Sequence, residues 1–172
     1  MNLLYAPWRG DYSSSSDDTK KDNATKDECV FCKKLIEDAD NEHYIIKRYK
    51  HVFLMLNCYP YNAGHSMLLP IEHKAQLSDM RHEERAEFIE ALSLGIAVIK
   101  KTFGAEGINT GLNLGKASGG SIASHLHMHI VPRWHGDNNF MSITAQTRVI
   151  SFDMQDIFKR LQEAFATTVL RS

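Results

Sequence analysis

Hydrophobic and polar positions divide the chain into a short apolar start, a polar gap and a long patterned remainder. Residues 10–28 are small, polar and charged, with four consecutive serines at 13–16. Such a stretch cannot bury enough apolar surface to offset chain entropy, so it reads as a mobile linker. The arm before it, residues 1–9, carries Tyr5, Pro7 and Trp8 and suits docking on the body or on a partner subunit. One domain is therefore expected over 29–172, behind an arm and linker over 1–28. Within it, residues 43–49 and 52–56 read as two strands with a turn at 48–51. Residues 59–64 form a loop, and 65–69 a third strand stopped by Pro70. Ser78-Asp79 suits a helix N-cap, and the helix runs to about Phe103 with Phe88, Ile89, Leu92, Ile96 and Ile99 on one face. A fourth strand is expected over 108–114, a glycine-rich loop over 115–120, and a fifth strand over 126–131, ended by Pro132. Met154, Ile157, Phe158, Leu161 and Phe165 mark a last helix. Hairpin-linked strands with one long helical crossover predict an α+β fold on a five-stranded antiparallel sheet, closed by a C-terminal helix.

The bulk numbers narrow the function classes. With 172 residues, 43% hydrophobic and 24% charged, the chain is long enough for a sizeable core. A net charge of -1 argues against a general nucleic-acid or membrane surface, so any phosphate site must be built locally. No apolar run approaches the roughly 20 residues that span a bilayer, and the first residues lack a secretory layout. The expected compartment is the cytosol. Three cysteines, two of them in Cys29-Val-Phe-Cys32, make no disulfide framework and suggest metal in a reducing compartment.

The chemistry concentrates in His125-Leu-His127-Met-His129. On a strand, the three imidazoles share one face and Leu126, Met128 and Ile130 share the other, which belongs to the core. Three imidazoles on an exposed face have no packing rationale. A purely structural metal site would use them, but the neighbouring glycine loop suits a phosphate-bearing ligand better. A neutral imidazole nitrogen attacks phosphorus well, provided that its other nitrogen is held protonated by an acceptor.

The run His125-Leu-His-Met-His-Ile-Val-Pro-Arg-Trp134 resembles the signature of the histidine-triad (HIT) superfamily. Asn57 ahead of Tyr-Pro-Tyr-Asn-Ala-Gly-His65 is similar to that family's ribose-binding acid or amide and its Gly-His. Leu68-Leu-Pro-Ile-Glu-His73 is similar to its Pro-x-x-His. The resemblance implies a HIT-like fold, usually a homodimer, with His127 as nucleophile and His129 contacting phosphate and aiding departure of the leaving group. It also implies that Cys29, Cys32, His73 and His125 form a tetrahedral, closed zinc site of the structural kind.

Asn113, Gly120-Ser121 where many HIT hydrolases carry Gly-Gln, and Trp134 resemble the bacterial diadenosine tetraphosphate phosphorylases of the superfamily. The segments 5–9 and 137–141 point the same way. This resemblance implies a nucleotide substrate and phosphate as second-step acceptor, giving ADP and ATP. A HIT hydrolase of dinucleoside polyphosphates or adenosine phosphoramidates is the alternative, and a nucleotide-binding sensor without turnover is a third. Asn57, His65, Asn113, Gly120, Ser121 and Trp134 are the expected nucleotide and phosphate contacts. Phe31, with Val30 and Met55, is expected in the base pocket, with ordinary packing as the competing role. Cys58 is expected in the core. His43, His51, His82 and His135 receive no functional role.

Overall fold

The computed structural model describes residues 25–119, 122–137, 144 and 152–170. The arm and most of the linker, Gly120, Ser121 and residues 138–141 lie outside the described residues. Helix α1 (Val30–Ile36) is followed by strands β1 (Ile45–Arg48), β2 (Val52–Leu56) and β3 (Ser66–Pro70). Helix α2 (His82–Phe103) then crosses to β4 (Gly107–Leu112), β5 (Met128–Arg133) and helix α3 (Met154–Ala166). The described strands form one antiparallel sheet in the order β1-β2-β3-β5-β4. The expected α+β class, sheet, crossover helix and C-terminal helix are all present.

Every residue of β2 and β3 is buried, because both faces of the sheet are covered. Val52, Leu54, Leu56 and Leu68 point to the α2 and α3 face, among Phe88, Ile99, Ile157, Phe158, Leu161 and Phe165. Phe53, Met55, Met67 and Leu69 point the other way, into a second cluster with Cys29, Phe31 and Cys32 of the α1 segment. The strand alternation thus feeds two cores, and the smaller one carries the chemistry.

The element ends differ from the sequence expectations for local reasons. Pro70 does not stop β3. It is the last paired residue, opposite Val52. Helix α2 starts after Arg81 and not at Ser78-Asp79, because Asp79 closes its own short turn over Leu77–Asp79 by accepting from the Gln76 N–H at 2.9 Å. Met80 then extends the chain and buries its side chain before the helix can begin. Strand β5 is displaced towards its C-terminus relative to 126–131 and includes Pro132, which pairs with Ile108. Helix α3 begins at Asp153, whose carboxylate accepts from the Gln155 and Asp156 N–H groups.

Candidate active site

The displacement of β5 changes the setting of the triad. Of the three, only His129 lies in the regular strand, while His125, at a bend, and His127 sit in the irregular segment leading into it. That segment is tied to the chain after β3 by the Leu126 N–H, which donates to the Lys74 carbonyl at 2.7 Å. Leu126 and Ile130 fall in the α2 and α3 core, as the alternation required, with Met128 packed against it. His125 and His127 are not on an exposed face: both are buried. The cover is α1, whose Phe31 ring stands 5.5 Å from His125 and 5.6 Å from His127. Phe31 therefore lines the His127 ring as well as the smaller core.

The protonation pattern follows from partners that have only one role to offer. His127 Nδ1 lies 2.8 Å from the His125 carbonyl, and a carbonyl only accepts. Nδ1 therefore carries the proton and Nε2 carries the free lone pair. Burial lowers the His127 pKa, against the opposing bond to the His125 carbonyl, so the ring is held neutral near pH 7. This is the acceptor that activation of an imidazole nucleophile requires, supplied by backbone rather than by a side chain.

A second chain of hydrogen bonds fixes His129. The Tyr61 N–H donates to His65 Nδ1 at 3.0 Å, which leaves the His65 proton on Nε2. That proton is donated to His129 Nδ1 at 2.9 Å, which leaves the His129 proton on Nε2. The amide end of Asn113 stands 3.3 Å from that nitrogen, and a proton there calls for the amide oxygen to face it. Tyr61 stacks on the His129 ring at 5.7 Å and tilts against His65 at 4.6 Å. Asn57 spends its oxygen on the Tyr59 N–H at 2.9 Å and lays its amide nitrogen against the His65 ring. With the His127 and His129 rings 5.1 Å apart, a lone pair and an N–H donor stand side by side. That pairing suits attack at phosphorus with a donor for the phosphoryl or leaving oxygen.

Behind His127, four potential ligand atoms from Cys29, Cys32, His73 and His125 lie within 4.8 Å of one another. The His125 Nε2 proton is donated to the Pro70 carbonyl at 2.9 Å, so its Nδ1 lone pair faces Cys29 Sγ at 3.3 Å and Cys32 Sγ at 3.5 Å. His73 Nδ1 approaches Cys32 Sγ at 3.4 Å. Without a cation the cluster resists charge. Burial and the Cys29 thiol push Cys32 up to about 12, and burial pushes His125 down to about 4. Two soft sulfurs and two imidazole nitrogens, all buried except the half-buried His73, are a donor set that a tetrahedral divalent cation satisfies.

The remaining expectations divide. His65 and Asn113 reach His129 directly, and Asn57 lies against His65. Trp134 stands on the opposite face of the sheet, packed against the main core, with its Nε1 donating to the Gly104 carbonyl at 3.1 Å. Cys58 is exposed rather than in the core, because it sits in the turn after β2 where no element among the described residues covers it. Tyr61 falls in the expected loop over 59–64 with no role of its own in the sequence; the pair of tyrosines around Pro60 is the signal for it. The carbonyls of His125 and Pro70 carry no residue signature at all.

The HIT domain family model matches residues 38–136. The chain is 36% identical over 166 residues to the AP-4-A phosphorylase of Mycobacterium tuberculosis, covering 96% of this chain and 85% of that one. It is 28% identical to a HIT-like protein of Methanocaldococcus jannaschii, over 78% of this chain and 98% of the other. Among solved structures, a Zn-bound histidine triad family protein from Mycobacterium smegmatis superposes with a TM-score of 0.65 at 27% identity, covering 83% of this chain and 96% of that one.

Proposed function

The chain belongs to the HIT domain family, and from that premise we propose that it is a nucleotidyl transferase acting on dinucleoside polyphosphates with phosphate as acceptor. One observation carries the reading: the His125 carbonyl holds the His127 proton on Nδ1 and leaves a neutral, buried Nε2 as nucleophile. In the first step Nε2 attacks the α-phosphorus of diadenosine tetraphosphate. The P–N bond forms, the P–O bond to the remaining polyphosphate breaks, and ATP departs. The His129 Nε2–H lies where it can donate to the phosphoryl or departing oxygen. In the second step a phosphate oxygen attacks the same phosphorus, the P–N bond breaks, and ADP leaves with His127 restored. Water in place of phosphate gives AMP. Support for phosphate comes from the likeness to the mycobacterial AP-4-A phosphorylase over nearly the whole chain. Gly120 and Ser121, the residues expected at the acceptor, lie outside the described residues, and Asn113 is the member of that set that reaches His129.

The reading includes zinc at Cys29, Cys32, His73 and His125, with a structural role. The metal would supply a fixed positive centre that draws α1 and the His125 segment together, while His127 performs the chemistry. It also includes a homodimer in the cytosol. Among the described residues no helix is long and apolar enough to cross a membrane. The test is incubation of the protein with diadenosine tetraphosphate, with and without phosphate. ADP plus ATP in phosphate, with label shared between added phosphate and ADP, is the expected result. AMP plus ATP in excess phosphate would replace this reading with the hydrolase one. Binding without turnover would leave only a nucleotide-binding protein.

A further inference from the structure

The proton on His129 depends on His65, and His65 depends on the backbone of Tyr61, yet Tyr61 sits in the connection between β2 and β3, which has no regular structure of its own. Something must hold that connection still. Three observations identify it. The Asn62 side chain, 8% exposed, donates to the Pro132 carbonyl at 2.8 Å and to Asp137 Oδ2 at 2.9 Å. The Asp137 carboxylate, with a side chain 7% exposed, also accepts from Arg133 Nε at 2.6 Å, Arg133 Nη2 at 3.0 Å and the Trp134 N–H at 3.4 Å. Finally, the Asn62 carbonyl accepts from the His65 N–H at 3.1 Å, and Gly64 passes so close to Phe103 that a Cβ would lie 2.9 Å from its ring. The Gly64 φ of +73° is a second reason that only glycine suits this position.

We propose that Asn62 and Asp137 are positioning residues for the His129 proton. Their bond clamps the β2–β3 connection to the end of β5, so that the Tyr61 N–H stays aimed at His65 Nδ1. The consequence is a choice of tautomer. While Tyr61 donates to Nδ1, His65 holds its proton on Nε2 and His129 must accept at Nδ1, which leaves the His129 Nε2–H facing the site. With the clamp open, the Tyr61 N–H is no longer held on His65 Nδ1, which keeps only the longer approach of the Asn57 amide nitrogen at 3.4 Å. The His65 proton is then free to move to Nδ1, and its Nε2 can accept from His129 Nδ1–H. In that arrangement His129 turns a lone pair, not a proton, towards the phosphate. Arg133 completes the clamp by pairing with the Asp137 carboxylate through Nε and Nη2 and by reaching Asn109 Oδ1 on β4 at 2.8 Å. The bond from Asn62 is thereby charge-assisted, which makes it stronger and more directional than a neutral pair.

The proposal rests on the catalytic reading for its kinetic consequence but not for its structural one, so two readouts separate them. Asn62→Ala and Asp137→Asn are compared with the parent protein, free of nucleotide. The second variant keeps the shape of the side chain and removes its charge, so it tests the clamp if the first folds poorly. Long-range 1H–15N correlation spectra of the imidazoles report each tautomer directly. The parent should show His129 and His65 as Nε2–H. Both variants should show exchange with the Nδ1–H forms, while His127 stays Nδ1–H on the His125 carbonyl. Turnover should fall more for an adenosine 5′-monophosphate ester with an alkoxide leaving group than for one with a nitrophenolate leaving group, by roughly tenfold or more between the two. Unchanged tautomers of His65 and His129 in both folded variants would overturn the proposal. Altered tautomers in a protein that turns over no nucleotide would uphold the clamp and remove the catalytic reading instead.

Discussion

Three features of one imidazole support the nucleophilic role proposed for it. His127 is neutral because burial lowers its pKa, oriented because its Nδ1–H is committed to the His125 carbonyl, and accompanied by an N–H donor on His129. Removing the ring should remove the chemical step and little else. For His127→Asn, turnover should fall by at least about a thousandfold, with nucleotide affinity within about tenfold of the parent. Single-turnover assays paired with equilibrium binding measure the two quantities separately, and near-normal turnover would exclude the covalent route. The same burial predicts the acid limit of activity. The neutral form is the reactive one, and burial holds its folded pKa below the ordinary histidine value of about 6.5. As pH falls through 6.5 the ring stays neutral, so the acid limb of kcat/KM attributable to His127 should lie below 6.5 and not at it. A limb centred above 6.5 would mean that another group controls the step. These residue identities were legible in the sequence because one-faced alternation is a pattern of side chains. The carbonyls of His125 and Pro70, and the Tyr61 N–H, were not, because any residue supplies a backbone group and only the fold aims it.

Elements were legible in proportion to how much of their stability is local. Helix α2, 22 residues long, announces itself by periodicity, and β2 and β3 by apolar runs. Helix α1 did not. It has seven residues, begins at a cysteine without a side-chain cap, and is rich in residues with little helical preference. Its order comes from tertiary contacts: Phe31 and Cys32 pack into the smaller core, and Cys29 and Cys32 face His73 and His125. Missing α1 is also why the triad looked exposed from the sequence, since α1 is what covers it. If zinc occupies the cluster as proposed, it is the principal tie between α1 and the catalytic segment. Purified protein should then carry about one zinc per chain. Cys29→Ser should reduce that content severalfold and lower the unfolding midpoint by roughly 5–10 °C, an effect of a few kcal/mol in a chain of this size. Elemental analysis and thermal unfolding check the two parts. A metal-free parent protein as stable as the metal-treated one would dismiss the site.

Across the whole molecule, the sheet is unevenly finished. On the β1 side, Lys47 reaches over to the Phe165 carbonyl at 3.5 Å and ties the strand to α3. On the other side, β4 is the last described strand, and its middle residues Asn109, Thr110 and Gly111 are exposed. Natural edges are usually blunted by charge, proline or a bulge, and Gly107-Ile-Asn-Thr-Gly-Leu112 has no charge or proline and pairs with β5 in an unbroken register. An uncharged, regular edge is a template for another strand. The two-fold arrangement that fits the proposed homodimer sets β4 of one copy antiparallel to β4 of the other, joining two five-stranded sheets into one. The proposed catalytic groups would gain from such closure. His129 pairs across the sheet with Gly111, so a partner strand on β4 would stiffen the strand beside the proton donor. At micromolar concentration, sedimentation equilibrium should give the mass of two chains, and Thr110→Lys, which places a charge on the edge, should shift the equilibrium by at least about tenfold towards one chain. Thr110 pairs with Ile130 and is itself exposed, so the fold of the single chain should survive the change, as circular dichroism would report. A parent protein that sediments as one chain would reject the two-fold sheet, and a dimer indifferent to Thr110→Lys would move the interface away from β4.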